Sequence, residues 1–291
     1  MNARFSGQRM VKALVLMAAL AVASLALAPA AEAGGRHQEA GVVPPHQTYK
    51  GKTYGQWSAR WWQWCFSMSV GTPYTHPLFV DGNVDLSEGQ SGPVWFLGGT
   101  LISTDIGGVY YGTAERTGTV PAGKALFFPI MNAEQSYLES WAFGGSDTTQ
   151  AELRSDAKSF TDPAADLTCE VDGRPLSNLD HYRVQSPLYR IGPFPQDNIF
   201  ESSWGIPDEL DLNPPPPRRI RAYTAGAAPG NFTQSVSDGY YIMLAPLSVG
   251  EHTIHFSGDV PGFFYLDITY HIIVTCGNPH ECDRDEDRDD D

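Results

Sequence analysis

Residues 238–274, DGYYIMLAPLSVGEHTIHFSGDVPGFFYLDITYHIIV, predict three consecutive antiparallel strands. Residues 240–244 are apolar and rich in β-forming side chains. Residues 252–256 alternate, with His252, Ile254 and Phe256 on one face, and residues 266–274 continue the alternation for longer. A period of two over this length is typical of half-buried strands, and their apolar face needs a second sheet to cover it. The sequence therefore predicts a mainly β fold, an antiparallel β-sandwich of immunoglobulin-like or jelly-roll topology.

Other stretches with strand composition lie between turn residues along the chain. They are residues 93–100, a hairpin over 116–131 that turns at 121–123, residues 167–171 with a tight turn at Asp172 and Gly173, residues 182–184 and residues 188–191. Pro129 lies inside the second arm of that hairpin and favours an edge or bulge position, because proline cannot donate to a neighbouring strand. Residues 192–230 are rich in proline and lack periodicity, which predicts a long loop.

The clearest helix is predicted over residues 53–68, TYGQWSARWWQWCFSM, where Thr53 and Gln56 form a capping box. Helical spacing places Trp57, Trp61 and Trp64 on one apolar face, opposite a polar one. An exposed carbohydrate-stacking platform or a membrane anchor is the alternative. A continuous apolar stripe with a polar back favours instead a helix that packs on the sandwich. One further short helix is predicted over residues 149–160.

The two ends of the chain differ from the middle in composition. Residues 1–33 combine a basic start, an apolar run and a small-residue Ala-Glu-Ala site, which predicts a secretory signal peptide. An uncleaved anchor helix is the alternative, although the run is short for a membrane span. A flexible leader is expected over residues 34–52, a single β-sandwich domain over 53–275 and an acidic tail over 276–291. We therefore expect an extracellular or periplasmic protein with no membrane span.

The formal net charge of −15 argues against bulk binding to nucleic acid or to anionic membranes. Much of the acidity lies in the tail, where alternate residues from 283 to 291 are aspartates. Clustered carboxylates suit weak calcium binding, but the tail lacks the glycine and the distal glutamate of an EF-hand loop. A solvated, disordered tail is the favoured interpretation. The sequence contains no cofactor-binding motif, and we expect no cofactor.

Four cysteines in an exported protein permit disulfides. Cys276 and Cys282 flank a short turn and are the first predicted pair. Cys65 and Cys169 are a second, with buried thiols as the alternative.

Several segments resemble a family of uncharacterised secreted bacterial proteins. They are WSARWWQW, SGPVWFLGGT, TVPAGKALFFPIMN, VDGRPLSNLDHYRVQSP, and DGYYIMLAPLSVGEHTIHF followed by LDITYHIIV. The resemblance covers most of the chain after the leader, but not the acidic tail or the second half of the proline-rich loop. It implies secretion and a β-sandwich and carries no catalytic residue. Separately, PLSVGEHTIHF resembles the turn and strand of bacterial immunoglobulin-like domains.

Polar residues at strand ends are the first group of binding-site hypotheses. Glu134 follows the FFPI strand, Asp172 lies in a tight turn, Arg183 begins the RVQSP segment, and Asp238 precedes the final strands. Turn formation or buried hydrogen bonding is the favoured interpretation of each. His252 has the parity of the core and is interpreted as a structural histidine.

The outer face of the last two strands supplies the second group, His255, Asp267 and His271. A register with Ile254 opposite Ile268 sets His255 opposite Asp267, and Glu251 opposite His271. Neighbouring registers place Tyr265 or Thr269 opposite His255 instead. The functional hypothesis is a pH-responsive or metal-binding patch. Ordinary cross-strand pairs are favoured, because two strands rarely bring three ligands to one point.

Two function classes follow from these observations. The first is a secreted, non-catalytic β-sandwich protein that binds a glycan, a surface polymer or a protein. The second is a polysaccharide hydrolase or lyase on a jelly-roll scaffold, which needs a carboxylate pair or a metal in a groove. The sequence shows no phosphate loop, nucleophile elbow or HExxH helix, and this favours the first class.

Overall fold

The computed structural model describes residues 41–71 and 74–276. The fold is mainly β, with 37% strand against 18% helix, two mixed sheets and four helices. The helices are α1 (Tyr54–Cys65), α2 (Tyr137–Ala142), α3 (Gln150–Thr161) and α4 (Ile199–Ser202). The strands are β1 (Gly82–Asn83), β2 (Val94–Phe96), β3 (Thr104–Ile106), β4 (Val109–Pro121), β5 (Ala125–Ser136), β6 (Ala165–Val171), β7 (Arg174–Pro175), β8 (Arg183–Gln185), β9 (Tyr189–Ile191), β10 (Thr233–Leu244), β11 (Gly250–Val260) and β12 (Phe264–Thr275).

The large sheet has seven strands in the order β1-β4-β12-β11-β6-β7, with β3 also on β4. β12 pairs antiparallel with β11 but parallel with β4, so the sheet is mixed and not antiparallel throughout as predicted. Along β12 each buried residue is followed by a partly or fully exposed one. One face of this sheet therefore packs inside the protein and the other meets solvent.

The small sheet has five strands in the order β2-β5-β10-β8, with β9 also on β10. Eleven of the twelve residues of β10 are buried, because both faces of this sheet are covered. One face packs on the large sheet, where the rings of Phe128 and Phe256 stack with centroids 5.0 Å apart. The other face packs on α1, through Phe127 and Tyr241. Near-continuous apolar runs are what such a doubly covered strand requires.

The prediction of three consecutive antiparallel strands is wrong in its first member. β10 lies in the small sheet, whereas β11 and β12 form a hairpin in the large sheet. The predicted hairpin over 116–131 is wrong for the same reason, since β4 and β5 also lie in different sheets. In both cases a strand whose residues alternate between buried and more exposed is connected to a strand that is apolar on both faces. Each strand joins the sheet that covers its apolar faces, and the turn crosses between sheets.

The helix predicted over residues 53–68 is observed as α1, with Thr53 as its N-cap and the capping box with Gln56. It ends at Cys65, three residues earlier than predicted. Trp57, Trp61 and Trp64 are all buried, so they form no exposed platform. The second predicted helix is α3, which begins after Thr149.

The loop over residues 192–230 packs on α1 and contains α4. Phe200 of α4 stacks on Phe66 with ring centroids 4.5 Å apart. Part of the expected leader also joins the fold, since the Val43 N–H donates to the Met243 carbonyl at 2.9 Å. Within the described residues, no helix is long and apolar enough to cross a membrane.

Cys65 and Cys169 are buried thiols, so the predicted disulfide between them is wrong. Cys276 is disulfide-bonded, and its predicted partner Cys282 lies outside the described residues. The predicted signal peptide and nearly all of the acidic tail, with its expected calcium binding, lie outside them too.

Candidate functional site

A cleft lies at the edge of the small sheet, where β2 separates from β5. β2 pairs with β5 only over Ala125–Phe127. Beyond Phe128, β5 keeps β10 on one side, and no other strand in the described part of the chain pairs with its free edge. The cleft occupies the space that a continued β2 would have filled.

Two features separate the strands. The first is a β-bulge in β5, since Tyr240 and Tyr241 of β10 pair with Met131 and Pro129, which leaves Ile130 as the extra residue. Pro129 therefore takes the bulge position that the sequence favoured. Bulges bend a strand and are common beside functional sites.

The second feature is Arg116, which is 1% exposed and holds the segment that follows β2. Its guanidinium donates to the carbonyls of Gly98 at 3.1 Å and Gly99 at 2.9 Å. It also donates to the hydroxyl of Tyr270 at 2.8 Å, and that hydroxyl contacts Gly98. These bonds tie residues 98 and 99 to the large sheet, away from β5.

Five consecutive residues of β5, 131 to 135, line the cleft together with Pro129. Successive side chains of a strand point to opposite faces of a sheet. They can line one cleft only if that cleft runs along the edge of the strand. Aromatic side chains form walls on both sides of this edge: Trp61, Trp62, Phe143 and Trp204 on the helical side, and Phe160, Phe263 and Phe264 on the side of the large sheet.

Two buried glutamates, Glu134 and Glu139, line the same cleft, and each carboxyl group shifts the pKa of the other. We call them the carboxyl pair. Ser235 Oγ donates to Glu134 Oε1, and Ser136 Oγ donates to Glu139 Oε2 at 2.6 Å. Glu134 Oε2 is buried without a donor from any other described residue.

The pKa values of the carboxyl pair are displaced in the same direction. Burial raises the pKa of Glu134 well above its usual value, and the neighbouring charge of Glu139 raises it further. Burial also raises the pKa of Glu139 to about 7, although hydrogen bonds from Glu134 and Ser136 oppose the shift. Glu139 is therefore the first of the two to ionise, and Glu134 keeps the proton.

Glu134 is the only one of the seven residues named from the sequence that lines this cleft. Asp238 and Arg183 instead form a partly buried ion pair, with Nε and Oδ1 2.7 Å apart. Asp238 also accepts from Thr161 at 2.6 Å and from Gln185 at 3.0 Å. This network joins the end of α3 to β8 and β10, which is a structural role.

Asp172 lies at the turn between β6 and β7 and binds His252, with Oδ2 and Nδ1 2.8 Å apart. His252 is therefore a structural histidine, as interpreted. Asp172 adopts a φ of 52° next to Gly173, which fits the tight turn predicted for this pair.

The predicted register of β11 and β12 is wrong, because each β11 residue lies opposite a β12 residue two positions later in the chain than predicted. Ile268 lies opposite Phe256, so Thr269 lies opposite His255. The hairpin closes with the Phe263 N–H donating to the Val260 carbonyl, which fixes the loop length and hence the register. His255 Nε2 still reaches Asp267 Oδ1 diagonally at 3.0 Å.

His271 does not pair with Glu251 as that register implied. It contacts Glu115 of β4, with Nε2 and Oε1 2.9 Å apart. Within the described residues, no three histidine, cysteine or acidic side chains come close enough to hold a metal ion. The seven residues thus do not converge on one site, although Arg183 pairs with Asp238 and His255 with Asp267.

Sequence reasoning missed Glu139 and the role of the tryptophans in the cleft. A signal for Glu139 exists, because Ser136 and Glu139 form a capping box at the start of α2. Nothing local in the sequence shows that this box lies beside Glu134. Comparison of the chain with protein-family models, curated proteins and solved structures gives no match.

Proposed function

We propose that this protein binds an extended, largely apolar polypeptide segment, which enters the cleft and adds a strand to the free edge of β5. The observation that carries the proposal is the run of five consecutive β5 residues along one cleft. An unpaired strand edge offers main-chain donors and acceptors, and a polypeptide is the ligand that satisfies them in series.

The walls of the cleft match such a ligand. Side chains of an added strand alternate between two directions, and aromatic rings lie on both sides of the β5 edge. Among the ligand classes expected from the sequence, a glycan is supported less, because the lining is mainly apolar and offers few polar groups to meet hydroxyls. A protein ligand is therefore favoured over a glycan or another surface polymer.

The alternative of a polysaccharide hydrolase gains no support from the carboxyl pair. Glycoside hydrolysis with two carboxylates needs them about 5–5.5 Å apart for retention and about 6.5–9.5 Å for inversion. Each carboxyl group of Glu134 and Glu139 shifts the pKa of the other, and so close a pair does not flank a sugar ring on its two faces. We also propose secretion and an immunoglobulin-like or jelly-roll topology. The proposed binding site does not depend on either.

Gly99 allows a sharp test of the binding site. A Cβ atom at Gly99 would lie 3.5 Å from Leu266 Cδ2, an ordinary contact, and Leu266 lines the cleft. Gly99→Ala should therefore bind normally, whereas the larger side chain of Gly99→Leu should fill the cleft and weaken binding about tenfold or more.

The probe is a panel of synthetic eight-residue peptides that differ in apolar content, titrated while tryptophan fluorescence is read. Trp61, Trp62 and Trp204 line the cleft and should report occupancy. Apolar peptides that bind wild type and Gly99→Ala, but not Gly99→Leu, would support the proposal. Absence of peptide binding together with binding on a glycan array would overturn it.

A further inference from the structure

We infer that the carboxyl pair, Glu134 and Glu139, hydrolyses a peptide bond of the segment bound in the cleft. The inference rests on the proposed function, because it requires a polypeptide along the edge of β5. Glu134 belongs to that edge, and Glu139 follows on α2 only five residues later. Both side chains line the cleft where the main chain of an added strand would lie.

The arrangement of the pair suits acid–base chemistry on an amide. Each carboxyl group is fixed by a serine hydroxyl, Glu134 by Ser235 and Glu139 by Ser136. Above the pKa of Glu139, about 7, Glu139 is ionised while Glu134 stays protonated, so one member is a base and the other an acid. Two carboxyl groups that share one proton are the arrangement by which aspartic proteases attack peptide bonds.

Neutral groups surround the pair. Cys65 of α1 and Tyr189 of β9 are the neighbouring titratable side chains on which the charge of the pair acts, and burial raises the pKa of both. Among the described residues, no lysine or arginine contributes to the pKa of either glutamate. The pair therefore keeps its proton at neutral pH, where isolated glutamates are ionised.

The proposed reaction adds one water to one amide. The Glu139 carboxylate takes a proton from water as the water oxygen attacks the carbonyl carbon, and protonated Glu134 gives its proton to the carbonyl oxygen. The C–N bond of the resulting tetrahedral intermediate then breaks. Glu139 returns its proton to the leaving nitrogen, and a hydroxyl of the intermediate returns a proton to Glu134. The products are a carboxylic acid and an amine, and the pair recovers its starting state.

The protonation order gives the expected pH profile. Glu139 acts as the base only after it has lost its proton, whereas Glu134 must retain one. Cleavage should therefore increase as pH rises through about 7, the pKa of Glu139, and should decrease again when Glu134 ionises. An optimum near pH 3 would contradict this assignment.

The test uses the full-length chain and a defined mixture of 14-residue synthetic peptides, with cleavage products read by mass spectrometry from pH 4 to pH 9. The variants are Glu134→Gln and Glu139→Gln. Glutamine can still complete a capping box, so Glu139→Gln should keep the start of α2. Glu152→Gln is the matched control, because Glu152 completes the same kind of capping box on α3 but is exposed and outside the cleft.

We expect wild type and Glu152→Gln to cleave apolar peptides, and each substitution in the pair to slow cleavage by about 10²–10⁴-fold, the usual contribution of a general acid or base. Peptide binding should survive in both. Binding without cleavage by wild type would overturn the hydrolytic role and leave the proposed binding function standing. Equal cleavage by all four proteins would point to a contaminating peptidase and would also overturn it. Failure to bind any peptide would refute the proposed function itself.

Discussion

The two sheets of this protein differ in how they are covered, and the difference determines where a binding site can form. The small sheet is enclosed between α1 and the large sheet, whereas the outer face of the large sheet meets solvent. The free edge of β5 therefore lies between two walls, and a gap beside it becomes an aromatic cleft. Among residues 41–71 and 74–276, no element covers the outer face of the large sheet, and polar side chains on this face pair with one another.

The same difference affects ionisable groups. Burial beside the small sheet raises the pKa of Glu139 to about 7. On the large sheet, burial alone would raise the pKa of Asp172, but hydrogen bonds from His252 and Thr253 lower it. Desolvation thus dominates in the first sheet and hydrogen bonding in the second.

The largest expected effect contrasts an aromatic residue from each sheet. Phe127 is 0% exposed in the core between the small sheet and α1, and Tyr111 is 38% exposed on the large sheet. Phe127→Ala should lower the free energy of unfolding by about 3–5 kcal/mol, the range for deleting a buried large aromatic side chain. Tyr111→Ala should lower it by less than about 1 kcal/mol.

Urea unfolding followed by circular dichroism measures both values. Similar losses for the two variants would show that the outer face of the large sheet is covered in solution, and the contrast between the sheets would fail.

Much of the fold could be predicted from local patterns. The capping box of Thr53 and Gln56, the alternation in β11 and β12, and the turn at Asp172 each depend on residues that are close in sequence. Sheet membership could not be predicted this way. A turn sequence such as residues 245–249 does not state whether the next strand pairs with the previous one or crosses to the other sheet. That choice depends on which faces other elements cover.

The candidate site was less predictable for the same reason. Glu134 was named from its place after an apolar strand, but Glu139 was not, and their contact depends on how α2 begins beside β5. The cleft also depends on Arg116, which reaches Gly98 and Gly99 across 18 and 17 positions of sequence. No period or motif in the sequence encodes that contact.

A second prediction concerns pH and the carboxyl pair. Between pH 4.5, the ordinary pKa of Glu139, and about 7, its folded value, the folded protein binds a proton that the unfolded chain has lost. Stability must therefore decrease as pH rises through this interval. At about 1.4 kcal/mol per unit of pKa, the protein should be about 2 kcal/mol less stable at pH 7 than at pH 5 because of Glu139.

Glu139→Gln should remove the part of the decrease that comes from Glu139, whereas the part that comes from the raised pKa values of Glu134 and Asp147 remains. Glu152→Gln should leave the whole decrease in place, as measured by urea unfolding at both pH values. For Asp172, stability should change with pH in the opposite direction. Its folded pKa is lowered, so its contribution is present above its ordinary value of 3.8 and is lost as pH falls through the folded value. Asp172→Asn should therefore reduce the loss of stability at acid pH and leave the decrease between pH 5 and pH 7 intact.

The smallest expected effect belongs to the exposed pair of His255 and Asp267, which the sequence predicted directly opposite each other and the structure places on a diagonal. Their side chains are 36% and 37% exposed, and exposed or cross-strand pairs contribute about 0.2–1 kcal/mol. A double-mutant cycle with His255→Ala and Asp267→Ala at pH 5.5 should give a coupling energy in this range. Raising the salt concentration from 0.1 M to 1 M should reduce it, because the Debye length falls from about 10 Å to about 3 Å.

Calorimetric titration with zinc should show the same weak binding in wild type, His255→Ala and His271→Ala, since the two histidines contact different acids on different strands. A coupling above about 2 kcal/mol, or tight zinc binding lost in either histidine variant, would mean that the outer face of the large sheet is organised around a ligand, and the contrast between the sheets would not hold.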